Sequence, residues 1–328
     1  MSTWLITGGC GFIGRNLVTR LIPAGAAIRV LDNCSVCGPE DLARVCAVER
    51  VSTGAAAPVP GVAQFMQGDI RDENAAQAAC RDVDIIVHLA ANTGVPTSVA
   101  DPVMDFQANA LGVFQMLEAA RHAGARRFIF ASSGAPTGNA TPPVTETTVP
   151  RPISPYGASK LAGEGYCSAY AHCFGVDTVV LRFSNVYGPW SAHKTSVVAK
   201  FIGSALRGRE WGIYGDGSQT RDFLHVEDLV GAILCAARAE GVGGEVFQIS
   251  TGREHTLLEL AACLRKALAD RGIPVPPVGY DAPRLGDMPR NYADPAKAAA
   301  MLGWRPRIGL EEGIGTTVDW FLTSGGRK

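Results

Sequence analysis

Tyr156 and Lys160 stand four residues apart in Ser154-Pro155-Tyr156-Gly157-Ala158-Ser159-Lys160, which reads as a helix start with Ser154 as N-cap and Pro155 in the first turn. That spacing puts phenol and ammonium on one helical face. A free tyrosine titrates near about 10, too high for a base at neutral pH, and a fixed cation beside it favours phenolate and lowers that value. Phe128 to Ser133 is an apolar run closing on two hydroxyls, so Ser133 is expected at the end of a buried strand, where it can bridge a proton. By itself the Tyr/Lys spacing is also what a solvated helix face carries. The serine strand makes it a candidate for proton transfer.

A second group of residues offers backbone rather than side chains. Trp4-Leu5-Ile6 runs directly into Thr7-Gly8-Gly9-Cys10-Gly11-Phe12-Ile13-Gly14, after which Phe12, Ile13, Leu17, Val18 and Leu21 repeat at helical spacing. Gly9, Gly11 and Gly14 give G-x-G-x-x-G between strand and helix, which brings N–H groups close to a pyrophosphate. A second apolar strand, Ala27 to Leu31, ends on Asp32. An acid there accepts hydrogen bonds from both hydroxyls of an adenosine ribose and repels a 2′-phosphate, so the expected dinucleotide is NAD rather than NADP.

The elements that must position these groups follow from the pattern. Strand-like runs at Ala63 to Gln67, Asp84 to Leu89, Arg127 to Ser132 and Asp177 to Phe183 alternate with helical segments, among them Val103 to Gly124. Each run is rich in Val, Ile and Phe with little polar alternation, which predicts an α/β fold: a Rossmann-type doubly wound parallel sheet covered on both faces. A short helix is expected over Asp41 to Glu49, followed by a loop rich in Ala, Pro and Gly. Denser Gly and Pro in the second half, with helices at Leu257 to Ala269 and Pro295 to Leu302, predict a smaller C-terminal α/β substrate-binding cap. The expected division is residues 1–184 plus about 222–250 for the dinucleotide and about 185–221 plus 251–328 for the substrate.

The chain has 328 residues, 47% hydrophobic and 19% charged, with a formal net charge of -1, ample for a large core. Nothing in that balance suggests nucleic acid or a membrane surface as partner. No apolar run is long enough to span a bilayer, no leader pattern is present, and nine scattered cysteines suit a reducing compartment, so the expectation is a cytoplasmic protein. Cys34 and Cys37 form a C-x-x-C, but no second pair or spaced histidines complete a metal site. None is expected.

The motifs occur in a fixed order: the glycine loop, strand-end Asp32, Gly68-Asp69-Ile70, His88-Leu89-Ala90-Ala91, Ser133, Tyr156-x-x-x-Lys160, and Arg182-Phe183-Ser184-Asn185-Val186-Tyr187-Gly188-Pro189. In this order the chain resembles the extended short-chain dehydrogenase/reductases and, within them, the NAD-dependent nucleotide-sugar epimerase/dehydratase family, most of all UDP-hexose 4-epimerases. The resemblance extends through Gly303-Trp304-Arg305-Pro306. It implies that Gly8, Gly11, Phe12, Ile13 and Gly14 cradle the pyrophosphate of NAD, that Asp32 and Asn33 meet the adenosine ribose, and that Asp69 and Ile70 meet the adenine. Leu89, Ala90 and Ala91 line the cofactor, Asn109 is a structural asparagine, and Ser133, Tyr156 and Lys160 are the catalytic trio. For a UDP-sugar it implies Asn185 at the diphosphate, Val197 and Val198 along the uracil, Tyr214 beside the nucleoside, and Arg221, Arg284 and Asp287 as phosphate and ribose clamp. Arginine suits that task through its planar fork.

The departures narrow the reaction. Where the family carries Tyr-Gly after the serine strand this chain has Thr137-Gly138, and Gly134-Ala135 replaces the acids that dehydratases and decarboxylases place after the serine. Epimerisation needs only reversible removal and return of hydrogen at C4, through a 4-keto sugar and retained NAD, so it is the favoured reading. Trp190 replaces an arginine frequent in uronic-acid enzymes, although His193 and Lys194 keep a UDP-glucuronate reading open. Asn291 falls where epimerases of plain hexoses carry tyrosine, which suggests that 2-acetamido sugars are accepted too, unless Tyr292 refills the space. A 4,6-dehydratase or decarboxylase, a 4-keto-sugar reductase and a non-catalytic dinucleotide sensor are the alternatives. The resemblance also implies a homodimer through the helices bearing Asn109 and Tyr156.

Overall fold

Apolar strands without polar alternation need cover on both faces, and the chain supplies it by interleaving helices. The computed structural model describes residues 2–282 and 288–325. It opens with β1 (Thr3–Thr7), α1 (Phe12–Leu21), β2 (Ala27–Asp32), α2 (Pro39–Leu42), β3 (Ala47–Val51), β4 (Val62–Gln67), α3 (Glu73–Cys80) and β5 (Ile85–His88). Next come α4 (Val95–Ala100), α5 (Pro102–Phe106), a π-helical turn (Gln107–Leu111), α6 (Gly112–Ala123), β6 (Arg127–Ser133), α7 (Pro155–Phe174) and β7 (Thr178–Phe183). The remainder is β8 (Asn185–Tyr187), α8 (Val197–Leu206), β9 (Trp211–Tyr214), β10 (Thr220–Arg221), β11 (Phe223–His225), α9 (Val226–Arg238), β12 (Glu245–Ile249), β13 (His255–Thr256), α10 (Leu257–Ala269), β14 (Val278–Asp281), α11 (Ala296–Met301) and α12 (Leu310–Trp320).

The main sheet has eight strands in the order β12-β7-β6-β5-β1-β2-β4-β3, and every neighbouring pair is parallel. β1 lies where the order reverses, with Thr7 paired to Leu31 on one side and to His88 on the other. In open sheets of this kind the crevice outside the carboxyl ends of those strands is where ligands bind. One face packs Leu17 and Val18 of α1 and Leu229 and Ile233 of α9 against Ile6 and Val30. The other packs Ala76 of α3, Met116 and Leu117 of α6 and Cys167 of α7 against Leu5, Ile86 and Phe128. A third core, around Phe201, Trp211, Leu260, Leu264 and Val318, joins α8, β9, α10 and α12. The doubly wound expectation holds.

Two local expectations change. Over Asp41 to Glu49 the helix is confined to α2, and Ala47–Val51 is an edge strand parallel to β4. Pairing with β4 overrides the helical propensity, and outward Glu49 and Arg50 blunt the exposed edge. The expected single helix from Val103 to Gly124 is interrupted by the π-helical turn that carries Asn109. Among the described residues no helix is long and apolar enough to cross a membrane, and no group of His, Cys, Asp or Glu side chains is arranged to hold a metal ion. Among the described residues the cysteines form no disulfide.

Candidate active site

The glycine loop is shaped by what a Cβ would meet at each position. Gly8 has φ +68°, and a Cβ on it would lie 2.9 Å from the Ala90 nitrogen, so the turn brings the ends of β1 and β5 together. Gly14 packs against Gly9 so closely that a Cβ would stand 2.5 Å from the Gly9 Cα. Above Gly11 the only such neighbour is the Gly8 carbonyl, at 3.2 Å. Gly11 is also the N-cap of α1, and no side chain caps that helix, which leaves its first N–H groups aimed outward. An open cradle of uncapped donors is what a pyrophosphate needs.

Around it, Asp32 closes β2 and accepts hydrogen bonds from the Cys10 and Cys34 nitrogens at 3.1 and 3.0 Å. Burial raises its pKa, against the pull of those bonds. Asn33 Nδ2 donates to Asp69 Oδ2 at 3.0 Å, and Arg71 forks the same carboxylate at 2.9 Å to each oxygen, holding Asp69 well below the usual carboxylate range. Ile70 is buried. Leu89 and Ala90 follow β5, with the Ala90 nitrogen donating to Thr7 Oγ1 at 3.2 Å, and Ala91 continues this rim half-buried. These residues fit an adenine dinucleotide: cradle, ribose acid and adenine edge lie in sequence along the switch point.

Ser133 ends β6, and α7 begins with Ser154 capping the Gly157 nitrogen at 3.1 Å. Lys160 Nζ donates to the Ala131 carbonyl of β6 at 2.9 Å and sits 5.9 Å from the Tyr156 ring, so strand and helix bring the trio together. The protonation states differ from the expectation that lysine lowers the phenol. Burial pushes Tyr156 up to about 12, with a hydrogen bond from Ser133 opposing the rise. Burial also pulls Lys160 down to about 8, with Asp105 and Glu164 opposing. Desolvation is the larger effect on both groups, Lys160 being buried and Tyr156 half-buried.

Behind the trio lies a polar network of which the sequence reading assigned only Asn109, as a structural asparagine. Asn109 donates to the Asn92 carbonyl and to Asp105 Oδ1, both at 2.8 Å, and accepts from the Asn92 nitrogen at 2.9 Å. Ser159 Oγ donates to Asp105 Oδ2 at 2.7 Å. On the other side of the helix Arg182 forks Glu164 at 2.9 and 2.6 Å, and Ser132 Oγ donates to Glu164 Oε1 at 2.5 Å. The available signal was spacing: Glu164 lies four residues beyond Lys160 on one face, and Arg182 is a charge inside an apolar strand.

On the substrate side Asn185 opens β8, exposed, two residues beyond Phe183, which pairs with Ser133. Its nitrogen and Nδ2 both donate to the Asp222 carbonyl, at 3.0 and 3.2 Å, which brings it beside Arg221. Arg221 is steadied by the Thr220 and Met288 carbonyls, each at 2.7 Å. Tyr214 ends β9 with Lys200 Nζ 5.7 Å from its ring centroid. Val198 is buried in the third core and Val197 packs against it, so at these positions the free start of α8 offers backbone. Asn291 is half-buried, and the ring of Tyr292 is covered by Arg290 at 5.6 Å. Arg284 and Asp287 lie outside the described residues. Arg15 and Arg44 each lie over the Trp190 ring, at 4.9 and 5.0 Å, and His193 Nδ1 lies 3.8 Å from Cys37 Sγ.

Known proteins share this sequence pattern and fold. Residues 4–250 match the model of the NAD dependent epimerase/dehydratase family. A UDP-glucose 4-epimerase from Mycolicibacterium smegmatis is 37% identical, covering 97% of each chain. The crystal structure of UDP-glucose 4-epimerase from Thermotoga maritima with UDP-glucose is 36% identical with a TM-score of 0.87, covering 98% of this chain and 99% of that one. UDP-glucose 4-epimerase from Thermus thermophilus in complex with NAD is also 36% identical, with a TM-score of 0.84 over 98% of this chain and 99% of that one. With the glycine cradle, the strand-end acid and the Ser133, Tyr156, Lys160 trio each in place, the chain belongs to the NAD-dependent epimerase/dehydratase family.

Proposed function

We propose that the protein is an NAD-dependent 4-epimerase of UDP-hexoses, acting on UDP-Glc/UDP-Gal and on the 2-acetamido pair UDP-GlcNAc/UDP-GalNAc. The observation that carries this reading is the trio itself, with Gly134 and Ala135 directly after Ser133. Elimination across a sugar needs an added acid and base, whereas the two carboxylates nearest the trio, Asp105 and Glu164, are buried behind the helix and fully hydrogen-bonded. The relatives' activities support it. NAD, when bound, supplies a reversible two-electron acceptor for the hydrogen at sugar C4.

The chain's own residues do the rest. Gly11 and the start of α1 hold the pyrophosphate, and Asp32 and Asn33 the ribose. Tyr156 takes the proton from the sugar O4, directly or through Ser133, and returns it after the ring has turned. Lys160 is the cation the chain provides for that transfer. Asn185, Tyr214, Arg221, Arg284 and Asp287 are assigned to the UDP handle, with the residues of the third core forming the nucleotide-sugar half. Fixing the handle while the hexose is loosely held lets either face of the 4-keto sugar meet the cofactor. Asn291 leaves room for an N-acetyl group, because Tyr292 is engaged with Arg290.

The test is incubation of the purified protein with UDP-Glc, UDP-GlcNAc and UDP-GlcA separately, read by anomeric proton NMR. Conversion to the C4 epimer of the first two without net nicotinamide change is expected. A 6-deoxy-4-keto product or released carbon dioxide would replace the reading by a lyase, and epimerised UDP-GlcA alone by the uronate enzyme. If UDP-GlcNAc stays unchanged and Asn291→Tyr leaves UDP-Glc turnover intact, the assignment of Asn291 fails.

A homodimer in the cytoplasm accords with two further features. Val99, Val103 and Phe106 are exposed at 64%, 64% and 61%, with Tyr166 and Phe174 also exposed on α7, an apolar surface that a second copy would cover. Nine cysteines with no disulfide among the described residues suit a reducing compartment. Sedimentation velocity should show a dimer that Phe106→Glu converts to monomer. An unmodified protein that sediments as a monomer rules it out.

A further inference from the structure

Two carboxylates stand behind the catalytic helix, and one of them has no cation of its own. Glu164 is neutralised by the Arg182 fork. Asp105, on α5, is 1% exposed, and its oxygens accept from Asn109 Nδ2 at 2.8 Å and Ser159 Oγ at 2.7 Å, both neutral donors. No ion pair to Asp105 occurs among the described residues. A buried carboxylate held by no ion pair is costly, so its presence beside a reaction centre calls for a use. Ser159 lies between Tyr156 and Lys160 in the chain, and its Oγ also donates to the Tyr156 carbonyl at 3.1 Å.

We propose that Asp105 is a positioning residue for proton transfer at Tyr156: through Ser159 it fixes the helix that carries Tyr156 and Lys160, and its charge, tied up in no ion pair, sets the protonation of that pair. This rests on the reading of Tyr156 as the proton-transfer group. A negative charge favours the protonated form of both partners, keeping Lys160 an ammonium in a site that strips its water and making the phenol harder to ionise. The other groups facing the pair contribute less. Glu164 also favours the Lys160 ammonium, but its charge is shared with the Arg182 fork, and it does not act on Tyr156; Cys167 is a buried thiol pushed far up by desolvation, and His88 on β5 is held neutral by burial and by Lys160. Ser133 on β6 is uncharged. On the outer side of α5, Asp101 caps that helix, and Arg71, in contact with Met104, is engaged by Asp69.

Asp105→Asn keeps the shape. The new amide accepts from Asn109 through its oxygen and donates to Ser159 Oγ, whose own proton still reaches the Tyr156 carbonyl. Ser159→Ala does the converse, removing the clamp and keeping the charge. The readout is phenolate absorbance after a rapid pH jump, each protein minus its Tyr156→Phe counterpart, together with the pH dependence of sugar turnover.

Asp105→Asn should move the Tyr156 titration to lower pH by on the order of one unit, with both limbs of kcat/KM moving the same way. Ser159→Ala should lower kcat with titration and limbs unmoved. An Asp105→Asn protein that loses rate with its titration in place, or a Ser159→Ala protein whose titration moves as far, overturns the proposal. Should the amide variant fail to fold, Asp105→Glu decides, since retained charge must hold the titration where it was and a shift there overturns the proposal equally. A protein with no sugar turnover at all ends the epimerase reading, and the absorbance titration still decides the role of Asp105.

Discussion

At the residue scale the glycines of the first loop do separable jobs. At Gly14 a Cβ would meet Gly9 backbone on three atoms between 2.5 and 2.7 Å, and backbone cannot step aside. Gly14→Ala is therefore expected to cost about 1–3 kcal/mol, read as a lower urea midpoint even without cofactor. At Gly11 the one close neighbour is a carbonyl at 3.2 Å, so Gly11→Ala should fold nearly as well and lose NAD retention, because the methyl occupies the approach to the cradle. Equal stability losses at the two positions would refute this division. The spacing in the sequence announced the loop, and Asp32, Ser133, Tyr156 and Lys160 were legible from types and positions. Asp105 was not. An acid at a helix start reads as a solvated capping residue; Asn109 is its neighbour four residues on, but Ser159 meets it only once α7 packs on α5, a contact that no local pattern contains.

At the element scale the same limit recurs. Apolar runs flanked by turns specified the central strands, but Ala47–Val51 is mostly exposed, and its strand state comes from pairing with β4, a contact that no local pattern contains. Arg182 poses the reverse problem, since a charge in a buried strand has meaning only once α7 lays Glu164 against it. Both side chains are almost fully enclosed, at 4% and 5% exposed. Glu164→Gln removes the charge that Arg182 was buried to meet, and a loss of about 3–5 kcal/mol is expected in urea unfolding. Replacing both partners by methionine should cost clearly less than the single change, because no orphan charge remains. A double variant as unstable as Glu164→Gln would mean that shape, not charge, holds α7 on β7.

At the scale of the whole molecule, the site's enclosure makes stability depend on pH. His88 is 0% exposed, stacks on Phe128 and Phe130, and is pulled down from 6.5 to about 3 by burial and then by Lys160. His225, also buried, is pulled down to about 4 by burial. For such a base the unfolded chain binds the proton that the folded one refuses. The stabilisation is therefore complete above about 6.5 and is lost progressively as pH falls from there towards 3 to 4. The depressed carboxylates, with Glu118 at about 2, lose stability in the same direction but at lower pH. Asp32 and Asp222, raised by burial, work the other way around the carboxylate range. Between about 6.5 and 5 the histidines should dominate, and the urea midpoint should fall steadily across that interval. His88→Phe tests the assignment, since the ring stacks with its aromatic neighbours and Thr7 Oγ1 keeps its bond from the Ala90 nitrogen. The variant should flatten the slope above pH 5, whereas a slope identical to that of the unmodified protein would place the acid sensitivity elsewhere. Because His88 closes the strand beside Thr7 and lies within the field of Lys160, its protonation would also disturb the reaction centre, so loss of turnover and loss of stability should begin together.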